Sequence, residues 1–169
     1  MWRLPGRMLR ATLLDWRLYE EVESDSGATI QAAIVVLLAS LAAAVGSSAG
    51  ISSLALHLIL HLLAWSVWAL LAFWIGTRIL PESQTRSDPG ELLRTIGFAG
   101  SPGILRFFGV IPMIRMAVFW ITAVWMLAAM VIAVRQALDY RSTLRAFLVC
   151  GLGFLVQALV LLLATTTVS

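Results

Sequence analysis

Four stretches of this chain carry no charged residue over the length a helix needs to cross a bilayer, about 20 residues. They are Gly27 to Gly46 (20 residues), Ile51 to Ile75 (25), Met116 to Val134 (19) and Ala146 to Ala164 (19). In lipid a backbone must satisfy its own N–H and C=O groups, so such stretches fold as helices. Composition points the same way. The chain is 60% hydrophobic and 12% charged, whereas soluble domains run near 45–50% and about 25%. An all-α bundle in a membrane is the fold class this dictates.

A fifth segment, 91–111, is apolar but contains "GFAGSPGILRFFG", from Gly97 to Gly109, with four glycines, a proline and an arginine. Arginine placement decides whether it crosses, because cytoplasmic loops near spans carry the excess of basic residues. If it crosses and the N-terminus is inside, ten of the twelve arginines are cytoplasmic. Arg115 is then outside and Arg106 lies within the segment. If it dips in and returns, Arg135, Arg141 and Arg145 are stranded outside. The crossing arrangement is expected: spans near 27–46, 51–76, 91–111, 116–134 and 146–164, N-terminus cytoplasmic, C-terminus outside.

Residues 1–26 are expected to form a separate cytoplasmic segment before the membrane domain 27–169. No uninterrupted apolar core of the kind a cleavable signal peptide carries occurs there. Read as one helix, the segment gathers Arg3, Arg7, Arg10 and Arg17 on one side. Trp2, Leu4, Met8, Leu9, Leu13, Trp16, Leu18 and Tyr19 spread over the other. That pattern suits an amphipathic helix lying on anionic headgroups.

Ahead of the odd stretch, "SDPGELLR" reads as a helix start, with Asp88 as cap, Pro89 at the first position and Glu91 closing a capping box. Pro102 then removes an N–H, which frees the carbonyl of Phe98. Ser101 is near enough to satisfy it. Gly97, Gly100 and Gly103 form a surface without side chains, suited to close helix packing. Together with Pro102 they mark either a static kink or a hinge. Arg106 must snorkel or face the bundle.

His57 and His61 are four residues apart and share a helix face. Interhelical hydrogen bonding, a proton or ion path, and a metal or haem site are the three readings of that pair. All nine side-chain carboxylates lie at positions 15–25, 82–91 and 139, outside the expected hydrocarbon core. Ion-coupled transporters place acids inside the membrane, and acid–base enzymes need paired carboxylates. Neither pattern is present, so an enzyme is not expected, nor a cofactor. Arg135 and Asp139 are spaced to pair. Arg94, Arg135, Asp139, Arg141 and Arg145 are expected to meet cytoplasmic headgroups or a partner rather than nucleic acid. The one cysteine, Cys150, cannot form an intrachain disulfide.

Three passages, "YEEVESD", "LLRTIGFAGSPGILRFFGVIP" and "AVRQALDYRSTLRA", together with five spans, resemble prokaryotic members of the Yip domain family, the Ypt-interacting proteins. The resemblance runs from about Glu20 to Ser169. It implies a five-helix integral membrane domain with a cytosolic N-terminus, in the cytoplasmic membrane of a prokaryote. The family's eukaryotic members are linked to small GTPases and vesicle traffic. GTPase binding is not carried over, because the Tyr-Gly-Pro motif of those members is absent here.

The leading expectation is a scaffold or adaptor that acts through helix packing and cytoplasmic loops, with other membrane proteins or further copies of itself as partners. The alternative is a small transporter or channel component, with Arg106, His57 and His61 along a polar path. A cavity reaching Arg106 or His61 favours the second; a dry bundle favours the first.

Overall fold

The structure, a computed structural model, describes residues 3–47 and 54–168, with side chains placed through residue 159. Trp2, the link at 48–53 and the side chains closing the last expected span lie outside the described residues. The described residues are helical without a strand: α1 (Leu4–Thr12), α2 (Trp16–Ser24), α3 (Ala28–Gly46), α4 (Leu54–Trp74), α5 (Pro89–Ala99), α6 (Arg115–Ala137) and α7 (Thr143–Val168). α4 closes with a π-helical turn at Ile75–Ile79, and α5 runs into a 3-10 segment at Ser101–Val110. Three helices are long and apolar enough to cross a membrane: Ala28–Gly46, Leu54–Ile79 and Arg115–Ala137. Thr143–Leu159 is a shorter apolar helix.

α5 begins as its local sequence dictates. The Asp88 carboxylate accepts from the amides of Gly90 (2.6 Å) and Glu91 (3.0 Å), while Glu91 accepts from the Asp88 amide (3.0 Å). The α-helix ends before Pro102, and Ser101 Oγ donates to the orphaned Phe98 carbonyl at 2.7 Å.

Past that break the backbone winds with three residues per turn, so side chains three apart eclipse. The glycines of this strip meet small residues of α3. A methyl on Gly97 would lie 2.7 Å from Ala32 Cβ, one on Gly103 3.2 Å from Ala39 Cβ, and one on Gly109 3.0 Å from the Gly46 carbonyl oxygen. Contacts thus advance six residues along one strand of the pair and seven along the other. Six residues of 3-10 helix rise about 12 Å and seven of α-helix about 10.5 Å, two turns in each case. The two segments therefore run parallel over the length of α3. Gly100 takes no part, since a methyl there would meet only the Gly97 carbonyl of its own turn.

The N-terminal segment departs from a single surface helix. Leu14 adopts φ 60° and Asp15 caps α2, so α1 and α2 fold back on each other. Arg7 turns inward instead of facing headgroups. It is 5% exposed and donates to Glu21 (3.0 Å), Gln31 (3.1 Å) and Asp25 (2.8 Å). Arg10 donates to Asp15 (2.8 Å) and Glu21 (2.6 Å). Acids 5 to 18 residues downstream thus pair with Arg7 and Arg10, two of the four arginines of the supposed basic face, and the hairpin docks by its apolar side. Ala11, Leu18, Tyr19 and Val22 are fully buried against Ala32, Val35, Phe98 and Ala133. Trp125 Nε1 donates to the Thr12 carbonyl at 2.7 Å, which fixes the hairpin tip beside α6.

Candidate functional site: a cationic cavity at one end of the bundle

Three bonds define the opposite end of the molecule. Glu82 accepts from the Arg141 amide (3.0 Å), Gln84 donates to the Asp139 carbonyl (3.1 Å), and Gln136 donates to Glu20 (3.2 Å). The α2 side of the hairpin at Glu20 and the loops at 80–88 and 138–142 therefore share one end, while the hairpin tip reaches along α6 to Trp125. The far end gathers the last turn of α3, the start of α4, the end of the 3-10 segment and the first turns of α6. There a cavity of ≈ 370 Å³ opens, lined by His57, His61, Arg106 and Arg115 together with small and apolar residues such as Ala43, Ala44 and Phe119.

The three residues assigned to a polar path thus converge, although 45 positions separate His61 from Arg106. Arg106 is half-buried and held from two sides. Its Nε donates to Thr122 Oγ1 at 3.1 Å, and its Cζ lies 5.1 Å over the Phe119 ring. Thr122, itself buried, lies 2.7 Å from the Val118 carbonyl, so its hydroxyl proton stays on its own helix and its lone pair receives Arg106. The two terminal nitrogens of Arg106 have no hydrogen-bond partner among the described residues. Among the described residues no carboxylate lines the cavity. A cation withdrawn from water without a counter-ion is costly, and an anion entering the cavity would relieve that cost.

His61 Nδ1 lies 2.9 Å from the His57 carbonyl, and the two rings stack with centroids 6.0 Å apart. Donation by Nδ1 to that carbonyl leaves Nε2 of His61 available. Among the described residues no three His, Cys, Asp or Glu side chains come together, so the pair is two ligands short of a tetrahedral site. Arg115 Nε donates to the Gly109 carbonyl at 2.9 Å, which ties the end of the 3-10 segment to α6.

The other sequence-assigned residues fall elsewhere. Gly97, Pro102 and Gly103 are buried packing positions. Arg94 is a correction: it does not meet headgroups but is 8% exposed, with Nε donating to the Val22 carbonyl (2.9 Å) and Nη2 to that of Glu23. Arg135 does not pair with Asp139 either. α6 ends at Ala137 and Asp139 takes φ 53°, so the i,i+4 geometry is lost and Arg135 Nε donates to the Tyr140 carbonyl (3.3 Å). Arg145 donates to the Pro81 carbonyl (2.6 Å) and pairs with Glu82 at 3.5 Å. Arg141 keeps an exposed side chain.

Sequence reasoning missed two groups at the loop end. Tyr140 Oη sits between the carbonyls of Gly76 (2.9 Å) and Leu80 (2.7 Å), and burial, then Glu82, pushes its phenol up to about 12. Glu23 has one carboxylate oxygen buried without a partner. Burial, then the negative charges of Glu91, Asp139 and Glu20, raises it from 4.5 to about 7, with Arg94 opposing. Both lie in passages quoted above, but the groups that act on them, Gly76 and Leu80 for Tyr140 and Glu91 and Asp139 for Glu23, are far away in sequence, so no local spacing signals them.

Set against known proteins, the chain has no match to a family model, to a curated protein or to a solved structure.

Proposed function

We propose that this chain crosses the membrane five times and is a small transporter or channel component that admits an anion to the Arg106 cavity. Support for the five crossings comes from the parallel pairing of α3 with α5 and its 3-10 extension, from Ala32 beside Gly97 to Gly46 beside Gly109. A segment that keeps pace with a crossing helix along its length crosses with it. The arginine-rich loop end is then cytoplasmic, by the positive-inside rule. A prokaryotic cytoplasmic membrane and a Yip-like domain belong to this proposal and rest on the sequence motifs alone.

The observation that carries the reading is the convergence of Arg106, His57 and His61 on one cavity that, among the described residues, no carboxylate lines. An intramembrane cation facing a cavity is a substrate- or ion-path residue by default. The non-enzymatic scaffold or adaptor loses its main support, because α3 of the same chain already occupies the Gly97–Gly103 surface. What favours it still is the exposed loop end around Arg86 and Arg141.

Efflux of chloride and inorganic phosphate from proteoliposomes tests the reading. Flux should exceed that of protein-free vesicles and fall at least about tenfold in Arg106→Leu, the effect of losing about 1.4 kcal/mol of anion stabilisation. Equal flux from the two proteins would count against it.

A further inference from the structure

Which anion fits is set by size, by the walls and by the direction of entry. A water's share of liquid volume is about 30 Å³, so a cavity of ≈ 370 Å³ is far larger than a bare inorganic ion requires. Apart from its two arginines, two histidines and the hydroxyls of Ser40 and Ser47, the cavity is walled by hydrocarbon. Two of those walls, Met116 (66% exposed) and Phe119 (46% exposed), also belong to the outer surface of the bundle. Apolar wall therefore continues from the cavity onto the face that lipid covers, where Phe107 and Phe108 are also exposed. Toward the loop end the helices pack closely at Gly103. A single methyl on Gly103 would already come within 3.1 Å of Met126 Sδ and 3.2 Å of Ala39 Cβ.

We infer that the occupant is the phosphate headgroup of an anionic membrane lipid, which enters sideways between α4 and α6, its phosphate against Arg106 and its chains over Met116 and Phe119. This deepens the anion-cavity reading and rests on it. The chemistry is complementary at both ends of such a molecule. The planar guanidinium offers two free terminal nitrogens in a fork that matches two phosphate oxygens. Arg115, at the first position of α6, adds a second cation near the level where headgroups lie. His57 and His61 stand exposed on the facing helix, within the same lining: the His57 ring can donate to the headgroup, and Nε2 of His61 can accept from a headgroup hydroxyl. A free phosphate has the first half of this complementarity and none of the second.

Native mass spectrometry of the whole chain in a neutral detergent decides the matter, with phosphatidylglycerol and phosphatidylcholine as probes and inorganic phosphate as a competitor. Phosphatidylglycerol should be retained at least about tenfold over phosphatidylcholine, because both offer a phosphate but the choline of the second sets a like charge beside Arg106 and Arg115. That preference should vanish in Arg106→Gln and persist in Arg141→Gln, which alters an exposed arginine at the other end. Ala43→Phe, which fills the cavity without changing a charge, should also abolish it and stands in if Arg106→Gln does not fold. Equal retention of the two lipids, or loss in Arg141→Gln alone, overturns the inference. If phosphate binds in an Arg106-dependent way while the lipids are not distinguished, the lipid assignment falls and the anion cavity stands. If no probe responds to Arg106, both fall.

Discussion

Gly97 faces Ala32 across the α3–α5 contact with no room for a single added carbon: a Cβ on the glycine would stand 2.7 Å from that of the alanine. Carbon atoms pack at about 3.5–4.0 Å, so Gly97→Ala must push two helices apart. Overpacking of this kind costs about 1–3 kcal/mol. Gly151 provides the contrast, since nothing lies within 4 Å of a methyl there. Gly151→Ala in α7 should stabilise by about 0.5–1 kcal/mol through helix propensity. Reversible unfolding in mixed detergent micelles measures both signs.

Arg94 joins the N-terminal hairpin to the bundle through two backbone carbonyls more than 70 residues away. Each charge-assisted bond is worth about 1.5–3 kcal/mol. Arg94→Leu should therefore loosen residues 4–24 before it loosens the spans. Hydrogen exchange resolved by peptide should show faster exchange in α1 and α2 than in α6.

Glu23 sets a pH dependence with a definite sign. Its folded-state value is raised from 4.5 to about 7, so the folded protein holds a proton there that the unfolded chain has released. Stability from this residue is full below 4.5 and declines as pH rises toward about 7. Glu21 and Asp25, held low first by their hydrogen bonds from Arg10 and Arg7 respectively, work in the other direction and lose stability as pH falls. Glu23→Gln should flatten the decline between 4.5 and about 7 while leaving the acid limb in place. A melting series across that range reads it out.

The five crossings proposed above place Ser83 and Ser142 on one side of the membrane and Met113, 94% exposed, on the other. Cys150 is fully buried, so the background for thiol labelling is low. Impermeant maleimide added to intact cells should label Met113→Cys and spare Ser83→Cys and Ser142→Cys until the membrane is opened. Labelling of Met113→Cys and Ser83→Cys from the same side would remove the third crossing.

The parts of the fold legible in the sequence are those decided within a few residues. The Asp88–Glu91 capping box and the Ser101 bond to Phe98 each involve partners three apart, and both form as the sequence implies. Arg7 and Arg10 read as a lipid-facing strip only because the fold-back is invisible: Leu14 at φ 60° is not a residue type that advertises a turn. Once the chain reverses there, acids in the next helix become neighbours. The sequence grouped Arg106, His57 and His61 along one path but not the means by which they meet, since only the pairing of α3 with the 3-10 segment brings Arg106 opposite the start of α4.

The three-residue winding of Ser101–Val110 also makes that stretch unusually sensitive to length. Each residue added to or removed from a 3-10 turn rotates everything beyond it by about 120°. One deletion between Pro102 and Leu105 would swing the guanidinium a third of the way around its axis, out of its pocket and toward a neighbouring helix or the lipid. Substitutions along this stretch are local events, but an insertion or deletion re-aims the only charge it contains.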